Sequence, residues 1–291
     1  MKGIVAMERR VLGKTGEQLS VIGFGGILVM NETPEDAAKF VAEAVEERGV
    51  NYFDVAPSYG NAEERLGPAL APYRDQVFLA CKTGKRDAEG ALEELNTSLK
   101  RLQTDHFDLY QLHGVTTLEE VETIFAPGGA METFLAAREQ GKTRFLGFSA
   151  HSEEAALALM DRFDFDTILF PFNWACWLKA GFGPRVMERA SEKGMGILAL
   201  KTLAKRAWRE GEPREWSKTW YKPVESYEEA RLAVRFTLSQ PVTAAVSPGH
   251  IELFRWACEA AEEFQPLSPD EKATLVEWSR DLETIFPIRQ R

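Results

Sequence analysis

Residues 77–113 read VFLACKTGKRDAEGALEELNTSLKRLQTDHFDLYQLH, and the order of elements within them decides the fold. An apolar run, 77–82, is followed by an amphipathic stretch, 88–101, and then by a second apolar run, 107–113. Apolar runs that do not alternate with polar residues read as strands covered on both faces, and a helix between two of them joins parallel strands.

The same order repeats outward in both directions. Residues 21–25 and 52–56 upstream, with 145–149, 167–172, 196–200 and 244–247 downstream, bring the strand candidates to eight. Helical patterns lie between them at 34–48, behind a Thr33 cap, and at 130–140, 153–162, 184–193 and 228–239. Eight such units predict an α/β fold, a closed (β/α)8 TIM barrel formed as one domain over residues 1–291, with an open doubly wound sheet as the alternative. Within residues 7–20 the turn Gly13-Lys14-Thr15-Gly16 predicts a hairpin that closes the bottom of the barrel. Residues 268–282 open with Ser-Pro-Asp-Glu, as a capped helix does, and predict an extra C-terminal helix. The long stretch 202–226 carries Trp208, Trp216, Trp220 and Tyr221; it reads either as a lid or substrate wall or as aromatic plugging of the rim.

Composition narrows the function classes. Hydrophobic residues make up 44% and charged residues 27%, ordinary for a globular chain. Acidic residues outnumber basic ones 45 to 35, and a net charge of −10 repels phosphate backbones and anionic lipid, so neither nucleic acid nor a membrane is expected as a partner. The apolar run at residues 3–6 is too short for a signal peptide and no later stretch spans a bilayer, which predicts a cytoplasmic protein. Cys81, Cys176 and Cys258 are odd in number and far apart, so they read as core residues rather than as disulfide or metal knuckles. His106, His113, His151 and His250 form no HxH or HExxH pattern, and no metal is expected. Gly13-Lys14-Thr15 fails as a phosphate loop, because Glu8 stands where that motif needs its first glycine.

In a barrel of this kind chemistry sits at the carboxyl ends of the strands, and here those ends are polar. One run ends Phe53-Asp54-Val55-Ala56 and enters Pro57-Ser58-Tyr59-Gly60; others end Cys81-Lys82, Leu112-His113 and Phe148-Ser149. A phenol is a weak acid with a pKa of about 10, but a neighbouring ammonium favours the phenolate and eases proton donation near neutrality. Lys82 is positioned to supply that charge to Tyr59, with Asp54 holding the ammonium and His113 orienting a substrate carbonyl. The rival chemistry is a lyase with Lys82 as a Schiff-base nucleophile, against which Asp54 argues by keeping the amine protonated.

These blocks resemble the aldo-keto reductase family. The resemblance is carried by Leu12-Gly13-Lys14-Thr15-Gly16, Ile22-Gly23-Phe24-Gly25-Gly26, residues 53–60, Cys81-Lys82-Thr83-Gly84, Asp108-Leu109-Tyr110-Gln111-Leu112-His113-Gly114 and Leu146-Gly147-Phe148-Ser149. It implies that Asp54, Tyr59, Lys82 and His113 form the catalytic tetrad, with Tyr59 as general acid for NADPH-dependent reduction of an aldehyde or ketone. It also implies extended NADPH (NADP+ after reaction) across the barrel mouth. Gly25, Asp54, Ser149, Lys201, Ser247, Gly249, His250, Arg255 and Glu259 are the residues expected against it, and Arg255 is expected on the adenosine 2′-phosphate. Lys201 and Lys205 read either as pyrophosphate contacts or as solvated lysines. Several positions depart from the family pattern: Ala150, Phe170 and Leu200 replace the asparagine, glutamine and aromatic ring common at the nicotinamide, and Glu259 replaces an asparagine at the adenine. Those departures keep open a second role, a nicotinamide-binding regulatory barrel with little turnover, similar to subunits attached to some ion channels. For a small-molecule carbonyl substrate, Phe24, Trp174 and Trp177 read as either pocket wall or core.

Overall fold

The computed structural model describes residues 7–286; the short apolar run at residues 3–6 lies outside them. β1 (Arg9–Val11) and β2 (Gln18–Ser20) form an antiparallel hairpin. β3 (Ile22–Gly25), β4 (Tyr52–Asp54), β5 (Phe78–Thr83), β6 (Phe107–Val115), β7 (Thr143–Ala150), β8 (Thr167–Phe170) and β9 (Gly196–Ala199) follow in parallel. β10 (Ala204–Ala207) and β11 (Tyr221–Pro223) pair with each other outside the barrel, and β12 (Ala244–Val246) closes it against both β9 and β3. All eight strand expectations are met, each within a few residues, and the closed barrel excludes the open sheet.

The outer layer consists of α1 (Pro34–Ala42), α2 (Ala62–Leu70), α3 (Ala88–Arg101), α4 (Leu118–Phe125), α5 (Ala130–Glu139), α6 (Glu153–Arg162), α7 (Trp174–Ala180), α8 (Pro184–Glu192), α9 (Tyr227–Leu238) and α10 (Ile251–Glu262), with α11 (Pro269–Ser279) beyond the last unit. Side-chain caps start many of them; Thr33, Asp87, Ser152, Ser226 and Ser268 each accept a backbone N–H from the first turn. The helix expected at 34–48 is α-helical only to Ala42, and Glu43–Glu47 winds on as a π turn. Three helices went unread in the sequence. α2 carries Gly67 and Pro68, which look like breakers; a Cβ at Gly67 would lie 2.4 Å from the Arg101 carbonyl oxygen, so glycine is what lets α2 close on the end of α3. α4 has a legible capping box, Thr117 with Glu120, and α7 is only seven residues long.

At the amino ends of the strands, Leu12 and Leu19 from the hairpin enter a cluster with Tyr52, Phe78, Leu109 and Leu198. Gly13 has a left-handed φ of +51°, and a Cβ there would sit 2.2 Å from Gly196 N, so the plug can seat only with glycine at that turn. Leu12 is fully buried. Leu12→Ala is expected to lower unfolding free energy by roughly 2–5 kcal/mol in a urea titration while leaving turnover per folded molecule unchanged, because the cavity opens at the end remote from the mouth.

Candidate active site

Strand register brings the polar ends together. Asp54 on β4 pairs in register with Ala80, and Lys82 on β5 with Gln111 on β6. Alternation then points Asp54, Lys82 and Gln111 inward at successive levels of the wall. The Lys82 ammonium forms an ion pair with Asp54, and both are almost wholly buried. Asp54 Oδ2 also accepts from Gln111 Nε2 at 3.0 Å and from the Tyr52 hydroxyl at 3.3 Å. Lys82 Nζ donates a further bond to the Val55 carbonyl at 3.3 Å. Burial pulls the Lys82 pKa down, but the charges of Asp54 and Tyr59 pull it up further, and the net shift is upward. Lys82 therefore stays an ammonium, which weighs against the Schiff-base chemistry.

Tyr59 lies above this pair, with Lys82 Nζ 5.5 Å from its ring centre, and His113 meets its ring edge-on at 5.8 Å. Here one sequence expectation is corrected. Lys82 does favour the phenolate, but desolvation is the larger effect and Asp54 opposes Lys82, so the Tyr59 pKa is raised rather than lowered. His113 is held well below its ordinary pKa by burial first and by Lys82 next, and is therefore neutral. His151, packed against Phe286 at 5.1 Å, is lowered to about 4 by burial and Lys201.

One cleft at the carboxyl ends of the strands is lined by Gly25, Asp54, Tyr59, Lys82, His113 and Ser149 together with Lys201, Ser247 and Gly249. It gathers nine of the residues anticipated from the sequence. The other anticipated residues lie elsewhere. His250 stands beside the rim, where its Nε2 accepts from the Lys218 N–H at 3.1 Å. Arg255 is gripped by Glu43 through two bonds of 2.9 and 2.7 Å, and Glu259 is 3.5 Å from Arg48. Phe24 and Trp174 are core residues, the former packed between Phe53 and Phe254, so neither lines the cleft. Trp177 is half-buried against Phe236. Lys205 is tied to Glu225 and Glu229, away from the cleft.

The outer wall comes from the 202–226 segment. Thr219, Trp220 and Tyr221 line the cleft, whereas Trp208 donates to the Thr219 carbonyl at 3.1 Å and Trp216 packs on His250, so the aromatics divide between wall and brace. Lys218 fastens the segment to the far rim by donating to the Leu28 carbonyl at 2.7 Å and pairing with Glu32. Tyr52, Gln111, His151 and Lys218 went unread as site residues. Period-two alternation could have found the first two, since Tyr52 shares a face with Asp54 and Gln111 with His113. Nothing in the sequence marks the others.

The donor set of the cleft suits a nicotinamide cofactor. Ser149 Oγ accepts from Gly114 N–H at 2.7 Å and Ser247 Oγ from Gly25 N–H at 3.0 Å, and neither hydroxyl proton is committed to an acceptor among the described residues. Both can donate to a carboxamide or phosphate oxygen. Of the three positions that depart from the family pattern at the nicotinamide, Leu200 borders the cleft, whereas Ala150 and Phe170 are buried and are not among its lining residues. No group of three or more His, Cys, Asp or Glu able to hold a metal occurs among the described residues, and no helix there is long and apolar enough to cross a membrane.

A barrel whose mouth combines a buried ammonium–carboxylate pair, a phenol, a neutral imidazole and hydroxyl donors defines an oxidoreductase site. The aldo/keto reductase family model matches residues 21–278, and the chain belongs to that family, whose members carry out nicotinamide-dependent oxidoreduction of carbonyls. It is 28% identical to L-galactose dehydrogenase of Arabidopsis thaliana over 228 residues, 72% of this chain and 70% of that protein. With the aldo-keto reductase YhdN of Bacillus subtilis it shares 34% identity over 185 residues, 57% of this chain and 54% of the relative. A solved holo structure of a Bacillus halodurans aldo-keto reductase superposes with a TM-score of 0.73 at 24% identity, covering 96% of this chain and 98% of that one, a likeness of fold.

Proposed function

We propose that this protein is an NADPH-dependent reductase of aldehydes or ketones in which Tyr59 is the general acid. The observation that carries the reading is the stacking of Tyr59 over the buried Lys82–Asp54 pair, with His113 against its ring. A raised pKa keeps Tyr59 protonated at physiological pH and so loaded as a donor. Lys82 then acts where it matters, lowering the free energy of the phenolate that forms as the proton leaves. A neutral His113 can donate one hydrogen bond to the carbonyl oxygen without adding charge. Ser149, Ser247 and Gly249 would hold the cofactor, which when bound supplies hydride to the carbonyl carbon. Trp220 and Tyr221 form an outer wall of the cleft, Tyr221 buried and Trp220 exposed.

The test is NADPH consumption against a panel of aldehydes, ketones and quinones. Turnover of any of them supports the reading; saturable NADPH binding with no consumption would favour the regulatory barrel, a reading that the apolar Leu200 on the cleft supports. The choice of NADPH rests on Arg255, which must release Glu43 to take a 2′-phosphate. Arg255→Ala is expected to weaken NADPH more than NADH. Glu43→Gln should free the guanidinium and tighten NADPH by about tenfold, near 1.4 kcal/mol, with little effect on NADH. Dissociation constants from fluorescence titration check both, and equal changes for the two cofactors would remove the phosphate assignment.

A further inference from the structure

Lys201 departs from its surroundings in two ways. Among the described residues it is one of three non-glycine residues with positive φ, at +66°, and it sits directly on the cleft wall just after β9. The conformation is pinned, since its carbonyl accepts from Asn173 Nδ2 at 2.9 Å and from Ala204 N–H at 2.9 Å. Left-handed backbone at a lysine costs free energy, and the surrounding bonds impose it at the site rather than on a remote turn. The side chain is also unpaired. The two other cations lining the cleft each have a carboxylate, Lys82 with Asp54 and Lys218 with Glu32. Lys201 has none among the described residues, in a chain where acidic side chains outnumber basic ones 45 to 35. Its ammonium instead faces the rings of Trp220 and Tyr221, with centres 5.4 and 5.2 Å away. Asp54, the carboxylate that lines this cleft, is already engaged by Lys82, Gln111 and Tyr52.

We infer that Lys201 is the anchor for a carboxylate on the substrate, so that the enzyme acts on carbonyl compounds carrying an acid group a few bonds from the reacting carbon. The inference deepens the reductase reading and rests on it. Tyr221 is buried, Trp220 is exposed and Lys201 itself is half-buried, so the unpaired ammonium is partly desolvated and a bound carboxylate recovers that cost. Burial first, and Lys82 next, hold the Lys201 pKa down to about 8, so the group is still mostly charged at pH 7. Lys201 lines the same cleft as Tyr59, His113 and His151. A carboxylate held there lies within the same chamber as Tyr59.

The test compares 4-oxobutanoate with its methyl ester, which keeps the aldehyde and removes the charge, in the parent enzyme and in Lys201→Met and Lys201→Arg. The ratio of kcat/KM for acid over ester is expected to fall about 10- to 100-fold in Lys201→Met, through KM, the range for loss of a charge-assisted hydrogen bond, and to recover largely in Lys201→Arg. Calorimetric titration with butanoate, which cannot be reduced, should show binding to the parent and its loss in Lys201→Met. An unchanged acid-to-ester ratio overturns the inference. So does a weakening of NADPH binding by the same factor as the acid, which would make Lys201 a cofactor-phosphate ligand. If the parent binds butanoate through Lys201 yet reduces neither compound nor any carbonyl of the wider panel, the carboxylate site stands and the reductase reading falls.

Discussion

Tyr59→Phe is expected to bind NADPH with the parent dissociation constant and to reduce aldehydes roughly 10²- to 10⁴-fold more slowly, the usual contribution of a positioned general acid. The substitution removes one oxygen and leaves the ring on Lys82 and against His113, so packing around the site is kept. Single-turnover rates alongside fluorescence titration separate the two effects. A variant that reduces aldehydes at the parent rate would remove Tyr59 from the chemistry. The raised pKa adds a directional expectation for the parent enzyme. Alcohol oxidation needs the phenolate as base, so its rate should climb with pH through 9 and beyond, whereas reduction of an aldehyde without a carboxylate, which does not depend on the Lys201 charge, should stay flat between pH 6 and 8. The neutral state of His113 and the low pKa of His151, about 4, mean that neither imidazole titrates in that interval.

Lys82→Met is expected to damage both stability and catalysis. It leaves the Asp54 carboxylate buried without its cation, a change that typically destabilises by about 3–5 kcal/mol, and it withdraws the charge that stabilises the Tyr59 phenolate. Gln111 and Tyr52 still donate to Asp54, which places the loss toward the lower end of that range. The paired substitution Asp54→Asn with Lys82→Met should restore much of the melting temperature and none of the turnover. Stability and activity would then be shown to depend on different properties of one pair. If the single variant melts with the parent and turns over normally, the pair has neither role.

The barrel was legible because its signal is local. Each strand of 3–9 residues is an apolar run, each connecting segment carries helical spacing or a cap, and the order repeats until the sheet must close. Strand-end chemistry was legible for the same reason, since Asp54, Tyr59, Lys82, His113 and Ser149 each follow an apolar run within a few residues. Phe24, Trp174 and Trp177 show the limit. Their residue type suits a pocket or a core equally, and only the packing of Phe24 on Phe53 and Phe254, or the full burial of Trp174, decides between them.

The sequence by itself determined a parallel barrel with an acid, a phenol, an amine and an imidazole at one end, because both features follow from patterns a few residues long. Tertiary structure alone decided which charges cancel: that Glu43 neutralises Arg255 across 212 positions, that Lys218 reaches Glu32 while Lys201 meets no carboxylate among the described residues, and that burial outweighs Lys82 at Tyr59. Electrostatic effects depend on distance and on exclusion of water, and between groups so far apart along the chain neither exists until the barrel has closed.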